Sequence, residues 1–195
     1  MAIEKINREN LELRDAVKRR TIELENKSRE LEIEASLERV RGAAMGMKKA
    51  EDLLDVCKVI SNQLEDFEVD QIRNIQIAII DEKAGLYTCY QYFPAYKETI
   101  IEETEYLKNP VEQEMVLKML ASRDGHFMGH MEGKALKEFE AHRKEENHFP
   151  DPLIEESSEL GYCFLSIGEG GLGITRYKAS KEEELNLFKR FHQVF

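Results

Sequence analysis

From Ile3 to Met47 the sequence contains no proline, and its only glycines, Gly42 and Gly46, fall at the end. Proline is the residue that most reliably stops a helix, so this stretch can form one uninterrupted α-helix of about 45 residues, roughly 68 Å long. So long a helix has too little intramolecular surface to bury it and is marginal alone in water. Its apolar positions indicate the partner it needs. Ile3, Ile6, Asn10, Leu13, Val17, Leu24 and Leu31 recur at alternating three- and four-residue spacing with charges around them. That is the seam of a parallel coiled coil, and predicts a homodimer. Asn10 and Arg20 lie on the seam, where polar groups fix register at some cost in stability. A second stripe, Ile33, Leu37, Val40, Ala44 and Met47, is out of phase with the first by about one residue, so the winding changes near residues 31 to 33.

The remaining sequence suits one mixed domain, which divides the 195 residues into a coiled coil over 1–48 and a domain over 49–195. Charge separates the two parts. Residues 1–49 hold 12 Lys and Arg against 10 Asp and Glu, which leaves 16 against 29 for residues 50–195. A net −13 in the compact part would repel nucleic acid and anionic lipid. No run approaches the ~20 apolar residues that cross a bilayer, and the start lacks the apolar core of a signal peptide, so a cytoplasmic protein with no membrane segment is expected. Cys57, Cys89 and Cys163 are odd in number, far apart and set in apolar sequence, which reads as reduced core thiols.

Along that domain, residues 50–67 form an amphipathic helix with Leu53, Leu54, Val56, Cys57, Ile60 and Leu64 on one face. "IRNIQIAIID" (72–81) and "GLYTCYQYF" (85–93) make a hairpin, and "ETIIEETEY" (98–106) a weaker strand. A helix over 111–122 after Asn109-Pro110 and a strand over "HFMGHM" (126–131) follow, then helices over 134–146 and 151–160. "GYCFLSI" and "GLGITRY" form a second hairpin. A last helix covers 180–195, with Ser180 and Glu183 as its capping box. The expected fold class is α+β: a long N-terminal helix, then an antiparallel sheet flanked by helices.

"SIGEGGLGITRY" (166–177) has four glycines in six positions, like a phosphate loop. Phosphate loops open a helix and carry a Lys-Ser/Thr; here a strand follows and neither residue does, so a hairpin turn with positive-φ glycines is expected. No catalytic set emerges elsewhere. His126 and His130 share a strand face with Glu132, but strand residues four apart lie about 13 Å from each other, too far to share one metal. His192 sits among Phe188, Phe191 and Phe195 without the acidic neighbour of a kinase phosphoacceptor, which suggests packing. Along the first hairpin, Gln76 interrupts a strand of isoleucines, and Tyr90 and Tyr92 add rings with polar tips. Gln76, Tyr90 and Tyr92, joined by His126 and His130, are therefore the candidate border of a small-molecule cavity.

"SLERVRGAAMGMKKAEDLLDVCKVISNQLEDF" (36–67) resembles the segment that opens a GAF-like domain in bacterial sensor histidine kinases and related cyclase-coupled signalling proteins. Residues 37–41, Met45, Met47 and 51–54 carry the likeness, with Ala50 in place of the usual Ser. "EEELNLFKRFHQVF" is similar to the exit helix that runs to the output domain in that family. The resemblance implies a GAF-like fold, an input role in a two-component system, and an output domain in cis beyond Phe195. It supplies no ligand or cofactor, and the chromophore cysteine and cyclic-nucleotide motif of other GAF domains are absent. A sensor module that is not itself an enzyme is the expectation; a constitutive dimerisation scaffold is the alternative, and a small enzyme using the same cavity a third class.

Overall fold

The computed structural model describes residues 2–108, 110–121, 125–182 and 185–195. The chain divides into two compact units, Met1–Glu38 and Arg39–Phe195. Helix α1 (Ala2–Gly46) is unbroken. Its seam lies open to water, with Ile3 74%, Leu24 63% and Leu31 63% exposed. Within the second unit Val40 is instead fully buried, and Arg39 Nε donates to Gln63 Oε1 at 2.6 Å. One residue of the out-of-phase stripe, Val40, therefore belongs to the globular core of the second unit.

Helix α2 (Leu53–Asp66) follows a short 3₁₀ turn whose Asp52 carboxylate accepts the Lys48 and Lys49 backbone N–H groups. Val56, Cys57, Ile60 and Leu64 form its buried stripe against β1 (Ile72–Asp81) and β2 (Leu86–Phe93). Those two strands pair antiparallel with Asp81 opposite Leu86, leaving a four-residue turn. Asp81 Oδ1 fixes that turn by accepting from the Lys83 and Ala84 N–H groups, and Gly85 takes the left-handed conformation at φ 70°. Strand β3 (Glu98–Thr104) follows, then α3 (Pro110–Ala121), β4 (His126–Glu132), α4 (Gly133–Glu145), α5 (Pro152–Glu156), β5 (Glu159–Ile167), β6 (Gly170–Arg176) and α6 (Asn186–Val194). The six strands form one antiparallel sheet in the order β3-β2-β1-β6-β5-β4. Helix α2 covers one face, and α3 and α4 pack on the other. This is the α+β architecture expected.

Three elements differ from expectation. Helix α5 has five residues because β5 begins at Glu159, where Leu160 enters the core opposite Met131. Helix α6 starts at Asn186 rather than Ser180, since the chain first crosses β5 over Gly161, whose absent side chain leaves room for the backbone of Lys178 and Ser180. Ser180 Oγ there accepts from Arg176 Nη1; Glu183 of the expected capping box lies outside the described residues. In the glycine-rich hairpin only Gly168 has positive φ, at 53°, while Gly170, Gly171 and Gly173 lie within β6. The three cysteines are free and buried. No described helix is long and apolar enough to cross a membrane.

Candidate functional site

Cross-strand register decides which side chains meet. Gln76 pairs with Gln91, whereas Tyr90 pairs with Ile77 and Tyr92 with Ile75. Directly opposed residues share a sheet face. Gln76 therefore looks toward α3 and α4, and the two tyrosines look toward α2. Tyr90 receives the Cys57 thiol on its carbonyl at 3.4 Å, and Tyr92 lies under Lys58. His126 and His130 are exposed on edge strand β4, with His126 Nε2 4.0 Å from Glu182. The five candidate residues are thus not brought together: Gln76 borders a cavity, and Tyr90, Tyr92, His126 and His130 stand elsewhere. Among the described residues no group of three or more His, Cys, Asp or Glu side chains is placed to hold a metal ion.

The cavity lies between the Gln76 face of the sheet and helices α3 and α4. It holds about 70 Å³, room for several waters or a few ligand atoms, and is bordered on its polar side by Arg73, Gln91, Glu102, Arg143 and His148. An adjoining lobe of about 60 Å³ reaches Met115, Val116, Met119 and Phe164, with Gln76, Tyr87 and Glu112 shared between the two. An open groove of about 410 Å³ along α4, α5 and residues 147–152 shares Arg143 and His148 with the inner cavity. Glycines of β6 let the cavity's neighbours approach the strand backbone. A Cβ at Gly173 would collide with the Phe164 ring and come within 3.0 Å of Gln76, and one at Gly171 would collide with the Met119 sulfur. The sequence feature that resembles a phosphate loop is therefore part of a strand whose glycines let the Phe164, Gln76 and Met119 side chains pack directly on its backbone.

The polar groups form a network rather than a scatter. Asn74 Nδ2 donates to Gln76 Oε1 at 3.0 Å and to Gln91 Oε1 at 2.8 Å, and Gln91 Nε2 donates to Glu102 Oε2 at 2.6 Å. This ladder crosses three strands and gives the buried amides the partners they need. Glu102 Oε1 accepts the Phe149 N–H at 2.6 Å, fastening the 147–152 segment over the site. Arg73, at the irregularity in β1 beside Ile72, is 3% exposed. Its Nε donates to Asp151 Oδ2 at 2.6 Å and its Nη1 to Asn74 Oδ1 at 3.2 Å. Arg73 Nη2 and His148 Nδ1 are both buried with no hydrogen-bond partner. Glu112 Oε1 stands 3.3 Å from His142 Nε2.

Burial dominates the titration of the site. It raises Glu112 above the usual carboxylate range, opposed by His142, and pushes the Tyr87 hydroxyl upward. Burial lowers Arg143 to about 10, and the neighbouring Arg73 charge adds to that lowering. His148 is held below its ordinary value of 6.5, again by burial, with Glu102 opposing. A histidine kept neutral in the fold is protonated first in the unfolded chain, so its contribution to stability is present above 6.5 and lost as pH falls through it. Glu112 acts in the opposite sense, its contribution being lost as pH rises above 4.5. His148→Gln should therefore flatten the loss of stability on acidification through 6.5, measured by urea unfolding at several pH values. An unchanged slope would show His148 to be solvated.

His192 donates Nε2–H to the Ser166 carbonyl at 2.7 Å, an anchoring role for the last helix. What sequence reasoning missed is the charged half of the site. Arg73, Glu102, Arg143 and His148 come from two strands, a helix and a loop; the signal that could have pointed to them is "QYF" read with the opposite face, since Gln91 alternates with Cys89 and Tyr87. No protein-family model matches the sequence, and a comparison with curated proteins finds no match.

Proposed function

We propose that the chain is the input module of a bacterial signal-transduction protein, binding a small molecule in the cavity above β6 and relaying its presence through dimeric helices. The observation that carries this is a built polar cavity in which Arg73 Nη2 and His148 Nδ1 are buried without partners. A buried donor left unsatisfied costs about 1–3 kcal/mol, a cost that a ligand would relieve. The resemblance of residues 36–67 to the start of GAF-like sensor domains supports the same assignment, with a cytoplasmic histidine kinase as output beyond Phe195. The chain's part is regulation rather than catalysis.

Dimerisation is the second component. The exposed seam from Ile3 to Leu31 would be covered by a second copy, so that a change at the cavity, passed through Val40 and α2, could alter how the two α1 helices pack. Mass spectrometry of the natively purified full chain tests the ligand: a stoichiometric small molecule is expected, and a ligand-free protein that binds nothing from a broad metabolite panel would favour the constitutive scaffold. Light scattering tests the dimer. A species of 22.7 kDa at micromolar concentration would overturn it.

A further inference from the structure

We propose that the cavity receives a small monocarboxylate, with its carboxylate held by Arg73 and Arg143 and its short apolar tail in the lobe beside Met115 and Phe164. This deepens the sensor assignment and rests on it. Arg143 is 8% exposed. Its Nη2 donates to the Phe149 carbonyl at 2.9 Å and its guanidinium stands 5.8 Å from the Phe139 ring, but no carboxylate of the described residues forms an ion pair with it. Buried arginines are ordinarily paired, because a desolvated charge is costly alone. The acids nearby are already engaged: Glu102 by Gln91 and Phe149, Asp151 by Arg73, Tyr96 and Tyr177. Arg73 contributes the unpartnered Nη2, and both guanidinium groups line the same cavity. An anion between them would relieve both at once.

The chemistry of that anion is narrowed by its surroundings. Guanidinium matches a planar carboxylate with paired hydrogen bonds. Glu102 and Glu112 border the same cavity, so a dianion such as phosphate would face two carboxyl groups. Size limits the tail: the two lobes, about 70 and 60 Å³, together approach the ~150 Å³ cavity that accepts a benzene ring. The groove lies beside this cavity, since Arg143 and His148 line both.

The test is calorimetric titration of the full chain with acetate, propionate, isobutyrate and benzoate, each compared with its amide. At least one acid is expected to bind, with its amide at least tenfold weaker. Arg143→Met should lose that acid by at least tenfold, and Arg143→Lys should recover part of it. Equal binding of acid and amide, binding of no acid, or an undiminished Arg143→Met overturns the carboxylate assignment. The acid–amide comparison needs no variant, so it decides even if Arg143→Met does not fold. A neutral or cationic molecule retained in the cavity would overturn the carboxylate while leaving the sensor assignment standing; a cavity that binds nothing at all removes both.

Discussion

Asp151→Ala is expected to destabilise the globular unit by about 3–5 kcal/mol, the range found when one partner of a buried ion pair is removed. Arg73 and Asp151 are the most enclosed ion pair among the described residues, with side chains 3% and 1% exposed. Removing the aspartate leaves the arginine charged and without its counter-ion in a medium that solvates it poorly. Two further bonds go with it, because Tyr96 and Tyr177 both donate their hydroxyls to Asp151 Oδ1, at 2.8 and 2.9 Å. Asp151 thereby joins β1 to the ends of β2 and β6 and to the segment that closes the cavity. Asp151→Asn, which keeps an acceptor but not the charge, should cost less. Replacing both partners, as in Arg73→Met with Asp151→Leu, should cost less than the sum of the single changes. Urea unfolding followed by circular dichroism measures all of these. A loss below about 1 kcal/mol for Asp151→Ala would mean that the pair is hydrated and behaves like a surface bridge.

Phe191→Ala is expected to cost about 3–5 kcal/mol, the usual range for deleting a buried ring. Phe188 and Phe191 are fully buried on the inner face of α6, which packs against α2 and β5, and His192 adds its bond to Ser166. Gln193→Ala, on the exposed side of the same helix, should stay within about 0.5 kcal/mol. The contrast separates the packing of that face from helix propensity. A small effect at Phe191 would mean that α6 is only loosely docked, and a loosely docked exit helix could not report on the core. In the sensor proposal this helix carries the signal onward, so its anchoring to β5, a strand bordering the cavity through Phe164, is what would couple the two.

Local pattern was sufficient for much of the fold. Period-two alternation from Ile72 to Asp81 specifies a strand, and "LDVCKVISNQL" specifies a helix with one apolar face, because those periods follow from backbone geometry alone. The absence of proline before Met47 likewise specifies α1. The same local logic placed Gln76 on a different face from Ile75 and Ile77, as found. It could not say which face of β2 continues that of Gln76. That depended on the turn: the Asp81 carboxylate fixes four residues between the paired ends, and a slip of one residue would have brought Tyr90 or Tyr92 opposite Gln76 instead of Gln91. The glycines of β6 show the same limit, since their composition suggests turns while their use depends on Phe164, Gln76 and Met119 arriving from β5, β1 and α3. Arg73 and Asp151 are 78 residues apart and Gln91 and Glu102 eleven, and each became a partner only when the sheet and the closing segment came together. The sequence alone determined the periodic elements and the order in which they occur; the register and the long-range convergence of charges, which decide what the cavity can bind, belong to the tertiary structure, because hydrogen-bond pairing between strands and the burial of ions are set by contacts that no local stretch contains.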